Sequence, residues 1–501
     1  MPVSFNTIPA DFNLPLYYVE VDPSKAGQVV LDQPGLMVGQ KLAAGSAVAD
    51  VPIAVGSLAQ AQAYFGIGSM LERMVATFFK NNQAQELWCL PLAEPGAGVA
   101  ATGQIAITGP ATAAGTLSVY IAGQRVQIAV AAAATATAIG AALATAINAM
   151  TTLPVTAVST TGTLALTARW KGLTGNDVHI GMNLGGVAAG EATPAGVAIA
   201  ITAMAGGTAA PTMTTGMAGL GDDPYEYVAF PFTDSTSLNA IEAEFGFGDA
   251  GRWGWMRQLY GHVFSAARGT YSALITLGTS RNSGVTSILG VEVATPTPIW
   301  EIAAAYAAQA ARALLNDPAR PLQTLPLLGV AAAAKGSRFA MLERNTLTKS
   351  GIAVTAILPD GTVQISREAT TYQTNTLGTP DTAYNLVTTL ATLARLFRNQ
   401  KQAITSKYAR HKLANNGTKF GAGQAIVTPN VIRAELVAQY ENDEFNGLVE
   451  NADAFAANLV VERDSLNPNR VNVLYPPDLV NQLRMFAVLA QFRLQYTDAA
   501  A

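Results

Sequence analysis

The stretches GHVFSA (residues 261–266), TYSALITL (270–277), VTSILGVEV (285–293) and PIWEIAAAYAAQAARALL (298–315) decide the fold. The first and third are short, apolar and rich in β-branched or aromatic residues, the composition of a buried strand. The second and fourth space their apolar residues as a helix does. Strand, helix, strand, helix implies a mainly parallel sheet covered on both faces. Thr297 and Pro298 open the last helix. Threonine is a good N-cap, and proline in the first turn loses only an N–H that has no partner there.

The pattern extends upstream. Residues 227–232 read as a strand, 237–245 as a helix, 57–65 and 69–79 as helices, and 86–92 as a buried strand. A strand over 29–38 is broken at Pro34 and Gly35, and residues 351–367 form a hairpin turning at Pro359, Asp360 and Gly361. Composition shifts between 96 and 220, where the only charged residues are Arg125, Arg169, Lys171, Asp177 and Glu191. Leu117, Val119 and Ile121 alternate, a turn follows at Ala122 and Gly123, and Val126, Ile128 and Val130 alternate again. A helical face (Ile139, Leu143, Ile147, Met150) and a second hairpin (Val155, Ala157, then Leu164, Leu166, Ala168) complete a ββαββ unit, followed by a Gly- and Ala-rich tail. The unit reads as an insertion into one α/β domain. Beyond it, one helix starts at Thr379 with Leu386, Leu390, Leu393 and Phe397 on its apolar face. Another starts at Thr428 with Ile432, Leu436 and Tyr440, and strands over 459–462, 471–475 and 486–496 end the chain.

Bulk properties narrow the function. A chain of 501 residues suggests about three or four domains. Its net charge of −4 gives no overall attraction to nucleic acid or an anionic membrane. Only 13% of residues are charged, where about 25% is usual, so the surface needs covering. The longest apolar-looking run, 128–150, is mostly Ala and Thr and poorly suited to span a bilayer. No secretory signal is expected at the N-terminus. Cys89 is the single cysteine, which precludes an intramolecular disulfide and suits assembly in a reducing cytoplasm.

No chemical motif is complete. His179, His262 and His411 with one cysteine give no zinc-ligand spacing. Gly246, Gly248 and Gly251 match G-x-G-x-x-G, but a helix precedes them where a dinucleotide site needs a strand. Ala334 stands before Lys335 where a phosphate-binding loop requires glycine. Gly278, Thr279 and Ser280 follow His262 by few residues, without the context of a serine-hydrolase triad. No enzyme activity, cofactor or metal is expected.

Two features point to assembly. Phe486, Val488, Phe492, Leu494 and Tyr496 share one face of the last predicted strand. So apolar a strand must lie in a sheet. Alternation alone favours pairing within the subunit over donation to a neighbour. At the other end, Tyr17, Tyr18, Val19 and Val21 form an isolated strand between Pro15 and Pro23, which also needs a sheet to join. The second feature is charge segregation. Residues 382–434 carry eight basic residues, including Arg410 and Lys412, and no acid; residues 435–464 carry eight acids, including Glu441, Asp443 and Glu444, against Arg463 alone. Such patches suit a head-to-tail contact between copies, or neutralise each other within one subunit.

The strings MRQLYGH (256–262), PARPLQTL (318–325), ERNT (343–346), TTYQTN (370–375), GQAIVTP (423–429), NPNRV (467–471) and PPDLVNQL (476–483) resemble tail sheath proteins of Mu-like contractile phages. The resemblance implies an α/β core distantly subtilisin-like in fold (25–95 and 221–370), an inserted outer β-rich domain (96–220) and an α+β C-terminal inner domain (371–484). It also implies extended arms at 1–24 and 485–501 that join the sheets of neighbouring subunits, reversing the preference for pairing within the subunit. The implied function is a homo-oligomeric sheath of stacked hexameric rings around a tail tube, with baseplate and tail terminator proteins as partners. Contraction then drives the tube through the host envelope. The sheath of a phage-derived injection device or bacteriocin is the alternative. The implied location is the virion tail, assembled in the bacterial cytoplasm.

Overall fold

The computed structural model describes residues 33–494. The chain begins with β1 (Gly35–Gln40), β2 (Ile53–Ala54), α1 (Leu58–Phe65), α2 (Met70–Asn81) and β3 (Leu87–Leu92). Ser57 and Ser69 cap the two helices, each hydroxyl accepting the amide three residues on, from Gln60 and Glu72. Residues 93–226, between β3 and the next strand of the main sheet, are an insertion between neighbouring parts of one sheet. It contains β4 (Ala100–Thr108), β5 (Gly115–Ile121), β6 (Gln124–Val130), α3 (Ala136–Ala149), β7 (Val155–Thr160), β8 (Thr163–Lys171), β9 (Ile180–Met182), β10 (Ala198–Ala205) and α4 (Met213–Gly219). The main sheet then resumes with β11 (Tyr227–Ala229), α5 (Ser235–Glu244), β12 (His262–Gly269), α6 (Tyr271–Thr279), β13 (Thr286–Glu292), α7 (Ile299–Asn316), α8 (Met341–Lys349), β14 (Ile352–Ile357) and β15 (Val363–Arg367).

The main sheet has eight strands in the order β15-β14-β13-β12-β11-β1-β3-β2. Its six inner strands are parallel, and β15 and β2 are antiparallel edges. Every residue of β1 and β13 is buried, as strands covered on both faces require. Helix α7 lies against β11, β12 and α2, and its alanines let the backbones approach closely.

The inserted hairpins form where alternation places them, but in different sheets. β6 and β5 share a sheet with β9, which pairs with β5; β7 and β8 join β4 and β10. The unit is therefore larger than ββαββ. Strands β4 and β10 alternate mainly Ala, Thr and Ile, and this small-residue pattern carries little period-2 contrast. The Gly- and Ala-rich tail contains β10 and α4.

The C-terminal part contains α9 (Val387–Tyr408), β16 (Lys412–Leu413), β17 (Ile426–Val427), α10 (Pro429–Phe445), α11 (Ala452–Asn458), β18 (Val460–Arg463) and β19 (Val471–Leu474). It has its own core, built on Leu396, Ile432, Leu436, Tyr440 and Phe455. Tyr440 and Phe455 stack with centroids 3.7 Å apart. The helix expected from Thr379 starts only at Val387. Residues 375–385 instead form hydrogen-bonded turns around the Asn375 and Asp381 side chains. Thr297 does not cap α7 either; its hydroxyl accepts the Ala331 amide at 2.8 Å.

Candidate subunit interface

The C-terminal segment leaves the body at a fixed point. Gln482 donates to the Ala319 carbonyl, and Arg484 grips both oxygens of Glu368. Glu368 is fully buried, so this ion pair pins the root of the segment to the end of β15. From 485 to 494 every residue is exposed and none lies in a strand. Phe486, Val488, Phe492 and Leu494 are 83%, 70%, 83% and 96% exposed. The segment thus pairs with no strand of its own chain among the described residues, contrary to what its alternation alone favours. Tyr17, Tyr18, Val19, Val21 and Tyr496 lie outside the described residues.

Close in sequence to that exit is an open ribbon. β18 and β19 pair only with each other, leaving both outer edges free among the described residues. Val460, Val473 and Leu474 are 47%, 40% and 63% exposed on it. Unpaired edges beside exposed apolar side chains are what strand addition uses.

The charged residues separate into three groups. Lys407 on α9 donates to Glu435 on α10 at 2.5 Å, joining the basic and acidic runs within one subunit. Arg398 reaches the core instead and pairs with Glu226, while Arg395 donates to the Leu315 carbonyl. Arg410, Lys412 and Glu441 remain on the surface. Glu444 is half-buried and accepts the Ala452 amide at the start of α11. Asp443 is not an interface residue. It is fully buried, its carboxylate holding Asn399 at 2.7 Å and Gln439 at 3.1 Å, and burial pushes its pKa up. Its helical register turns it inward while Glu441 faces out, a distinction that a run of acids in sequence conceals.

The incomplete chemical motifs have structural explanations. His262 is buried at the start of β12 against Phe264, with no hydrogen-bond partner on either ring nitrogen among the described residues; burial holds its pKa down to about 3. The Ser280 hydroxyl donates to the Leu277 carbonyl at the end of α6. Neither group is bonded to the other. The glycine-rich loop follows α5 and folds back on itself. A side chain at Gly251 would meet the Gly246 carbonyl at 2.2 Å, and one at Gly254 the Gly248 carbonyl at 2.4 Å. Among the described residues no three His, Cys, Asp or Glu side chains cluster as metal ligands, and no helix is long and apolar enough to cross a membrane.

Comparison with known proteins places this arrangement. The phage tail sheath protein central domain model matches residues 206–371, and the phage tail sheath C-terminal domain model matches 379–493. Across nearly the whole chain, the sequence is 42% identical over 496 residues to the Mu-like prophage FluMu tail sheath protein of Haemophilus influenzae, covering 99% of this chain and 100% of the relative. The chain belongs to the phage tail sheath proteins.

It is therefore a structural subunit of a contractile tail of the Mu-like kind. Solved sheath structures align over most of the length at low identity. The sheath tail protein of Desulfitobacterium hafniense gives a TM-score of 0.48 at 13% identity, with 94% of this chain and 97% of that one covered. That of Listeria innocua gives 0.46 at 13%, covering 90% and 92%. The sheath family matches span β11 to the exposed terminal segment. The open ribbon and the exposed terminal segment therefore both lie in sheath sequence.

Proposed function

We propose that the subunit polymerises as stacked hexameric rings around a tail tube, and that its terminal segments weave those rings into one mesh. The observation that carries this reading is the terminal segment 485–494, exposed on both faces beyond the Arg484–Glu368 anchor. An exposed apolar strand at a chain end is an aggregation hazard unless a neighbour takes it up. The β18–β19 ribbon offers the free edges, so one copy's C-terminal segment would extend the ribbon of the next. Residues 1–24 would serve as the second arm. On this reading residues 25–95 and 221–370 form the core, 96–220 the outer domain and 371–484 the inner domain. The parallel sheet is read as a distant relative of the subtilisin fold that has no catalytic role.

During contraction the rings rotate and flatten while the woven strands stay connected, and the tube is driven through the host envelope. No nucleotide is required, because the extended lattice is a metastable state released through a bistable interface. Tube, baseplate and tail terminator proteins are the partners, and the virion tail, assembled in the bacterial cytoplasm, is the location. Arg410 and Lys412 would meet acidic groups such as Glu441 on an adjoining copy, so neutralising both should weaken assembly.

Negative-stain microscopy of the full chain beside a variant lacking 1–24 and 485–501, each with purified tube, tests the reading. Cylinders from the full chain and dispersed particles from the truncation are expected. Cylinders from both would overturn strand exchange, and dispersed particles from both would overturn polymerisation around the tube.

A further inference from the structure

Where the C-terminal segment is anchored, the surface holds a polar pocket of about 320 Å³. Arg344 of α8, Arg367 at the end of β15 and Arg484 line it, with Asn345, Thr348 and Ser366 between them. Arg484 already occupies both oxygens of the adjacent Glu368. The other two cations are short of acceptors. Arg344 donates through Nη1 to the Thr355 carbonyl at 3.1 Å, while its buried Nε has no partner among the described residues. Arg367 makes no ion pair with any described residue, and burial followed by the nearby Arg484 charge pulls its pKa down. A contiguous polar cleft shares Arg367, Asn345 and Thr348 and adds Lys349. Its one carboxylate, Asp381, is taken by the Tyr372 hydroxyl at 2.6 Å.

Guanidinium groups stay charged and present forks that match carboxylates two bonds at a time. A half-buried pair of them without acids calls for anionic groups from outside the chain's own body. We infer that this pocket takes the acidic side chains of the N-terminal segment of a second copy, with Glu20 and Asp22 set against Arg367 and Arg344. Residues 1–24 contain Asp11, Glu20 and Asp22 and no Lys or Arg. In an extended strand two residues at i and i+2, such as Glu20 and Asp22, point to the same side about 7 Å apart, so both carboxylates can face one pocket. Residues 1–32 precede the described body and could span on the order of 100 Å when extended, ample to reach an adjoining copy. The pocket also adjoins the root of the C-terminal segment, so both arms would be fixed at one place on each subunit.

This inference rests on the arm-exchange reading and is tested in the full chain by assembly with purified tube, scored by sedimentation. Arg367→Glu should lower the sedimenting fraction at least about tenfold, because like charges then face each other across the contact. Adding Glu20→Arg, the residue set against position 367, to that variant should restore most of it. The milder Arg367→Gln, with an unchanged melting temperature of the dispersed chain, guards against misfolding and should give an intermediate loss. Unchanged assembly in Arg367→Glu, or a loss that the charge swap does not rescue, would overturn the inference. A change confined to the melting temperature of the dispersed chain would place the segment on its own subunit and also overturn it. Deleting 1–24 separates the two levels. If that deletion leaves assembly intact, the arm-exchange reading fails; if it abolishes assembly while Arg367→Glu does not, only the pocket contact fails.

Discussion

Asp177 of the inserted unit caps helix Ile299–Asn316 of the core: its Oδ2 accepts the Ile299 amide at 2.6 Å. Its Oδ1 accepts from Arg268 Nε, also at 2.6 Å, and Arg268 goes on to the Thr297 carbonyl at 2.8 Å. One carboxylate thus satisfies a helix start and a strand end from across the seam between insertion and sheet. Trp170 and Trp300 meet edge to face at the same seam, with centroids 5.3 Å apart.

Asp177→Ala should loosen this seam. It strands a largely buried guanidinium and uncaps the helix, a loss on the order of 3–5 kcal/mol. Urea unfolding followed by tryptophan fluorescence should move to clearly lower denaturant. Thr297→Ala, which removes one ordinary hydrogen bond, should cost only about 1 kcal/mol.

Acid sensitivity should trace to His262. Burial holds its folded pKa down to about 3, against about 6.5 in an unfolded chain. Between those values the unfolded chain binds more protons, so stability falls as pH drops from about 6.5 and levels off near 3. His179, held down to about 4 by burial and then by Arg268, adds to the slope in the upper part of that window. His262→Phe, filling an apolar site beside Phe264, should flatten the melting-temperature profile between pH 4 and 6.5, to the extent of about one group. An unchanged slope would contradict the assignment.

Arg252 holds the glycine-rich loop. It is fully buried between the rings of Tyr225 and Phe245 and bonds Glu244 at 2.9 Å and the Asp223 and Gly221 carbonyls at 2.6 and 3.1 Å. Arg252→Ala leaves a cavity and unsatisfied carbonyls, and should destabilise the chain by roughly 3 kcal/mol. Faster amide exchange in residues 246–260 should accompany it.

The terminal segment should behave in the opposite way. Phe486→Asp with Phe492→Asp alters two exposed side chains, so the melting temperature of the dispersed chain should stay within about 0.5 kcal/mol equivalent. Cylinder formation should be lost. A drop in melting temperature without loss of cylinders would mean that the segment packs on its own subunit.

Much of the fold was legible because its signals are local. Strand–helix alternation from 227 to 316 survives in the structure, as do the helices expected from positions 57, 69 and 270 and the hairpin turn around Asp360. What sequence concealed was settled at a distance. The cap of α7 comes from Asp177, more than a hundred residues upstream, so Thr297 only looked like the partner. Strands β4 and β10 are built largely from Ala, Thr and Ile and recruit each other across the insertion. Asp443 shares a sequence run with Glu441 but points inward on its helix. The terminal strand pattern was legible while its partner was not, because period-2 alternation specifies a sheet and not whose sheet it is.

The most direct measurement is a cross-link between copies. Val488→Cys in one population and Val473→Cys in another place thiols on the terminal segment and on the β18–β19 ribbon. The native Cys89 is fully buried and should not compete. After co-assembly with tube and treatment with a short bismaleimide, the mixture should give a strong band at twice the monomer mass that is weak or absent for either population alone. Cylinders whose mixed subunits yield no more of that band than the single populations would contradict strand exchange between sheath subunits.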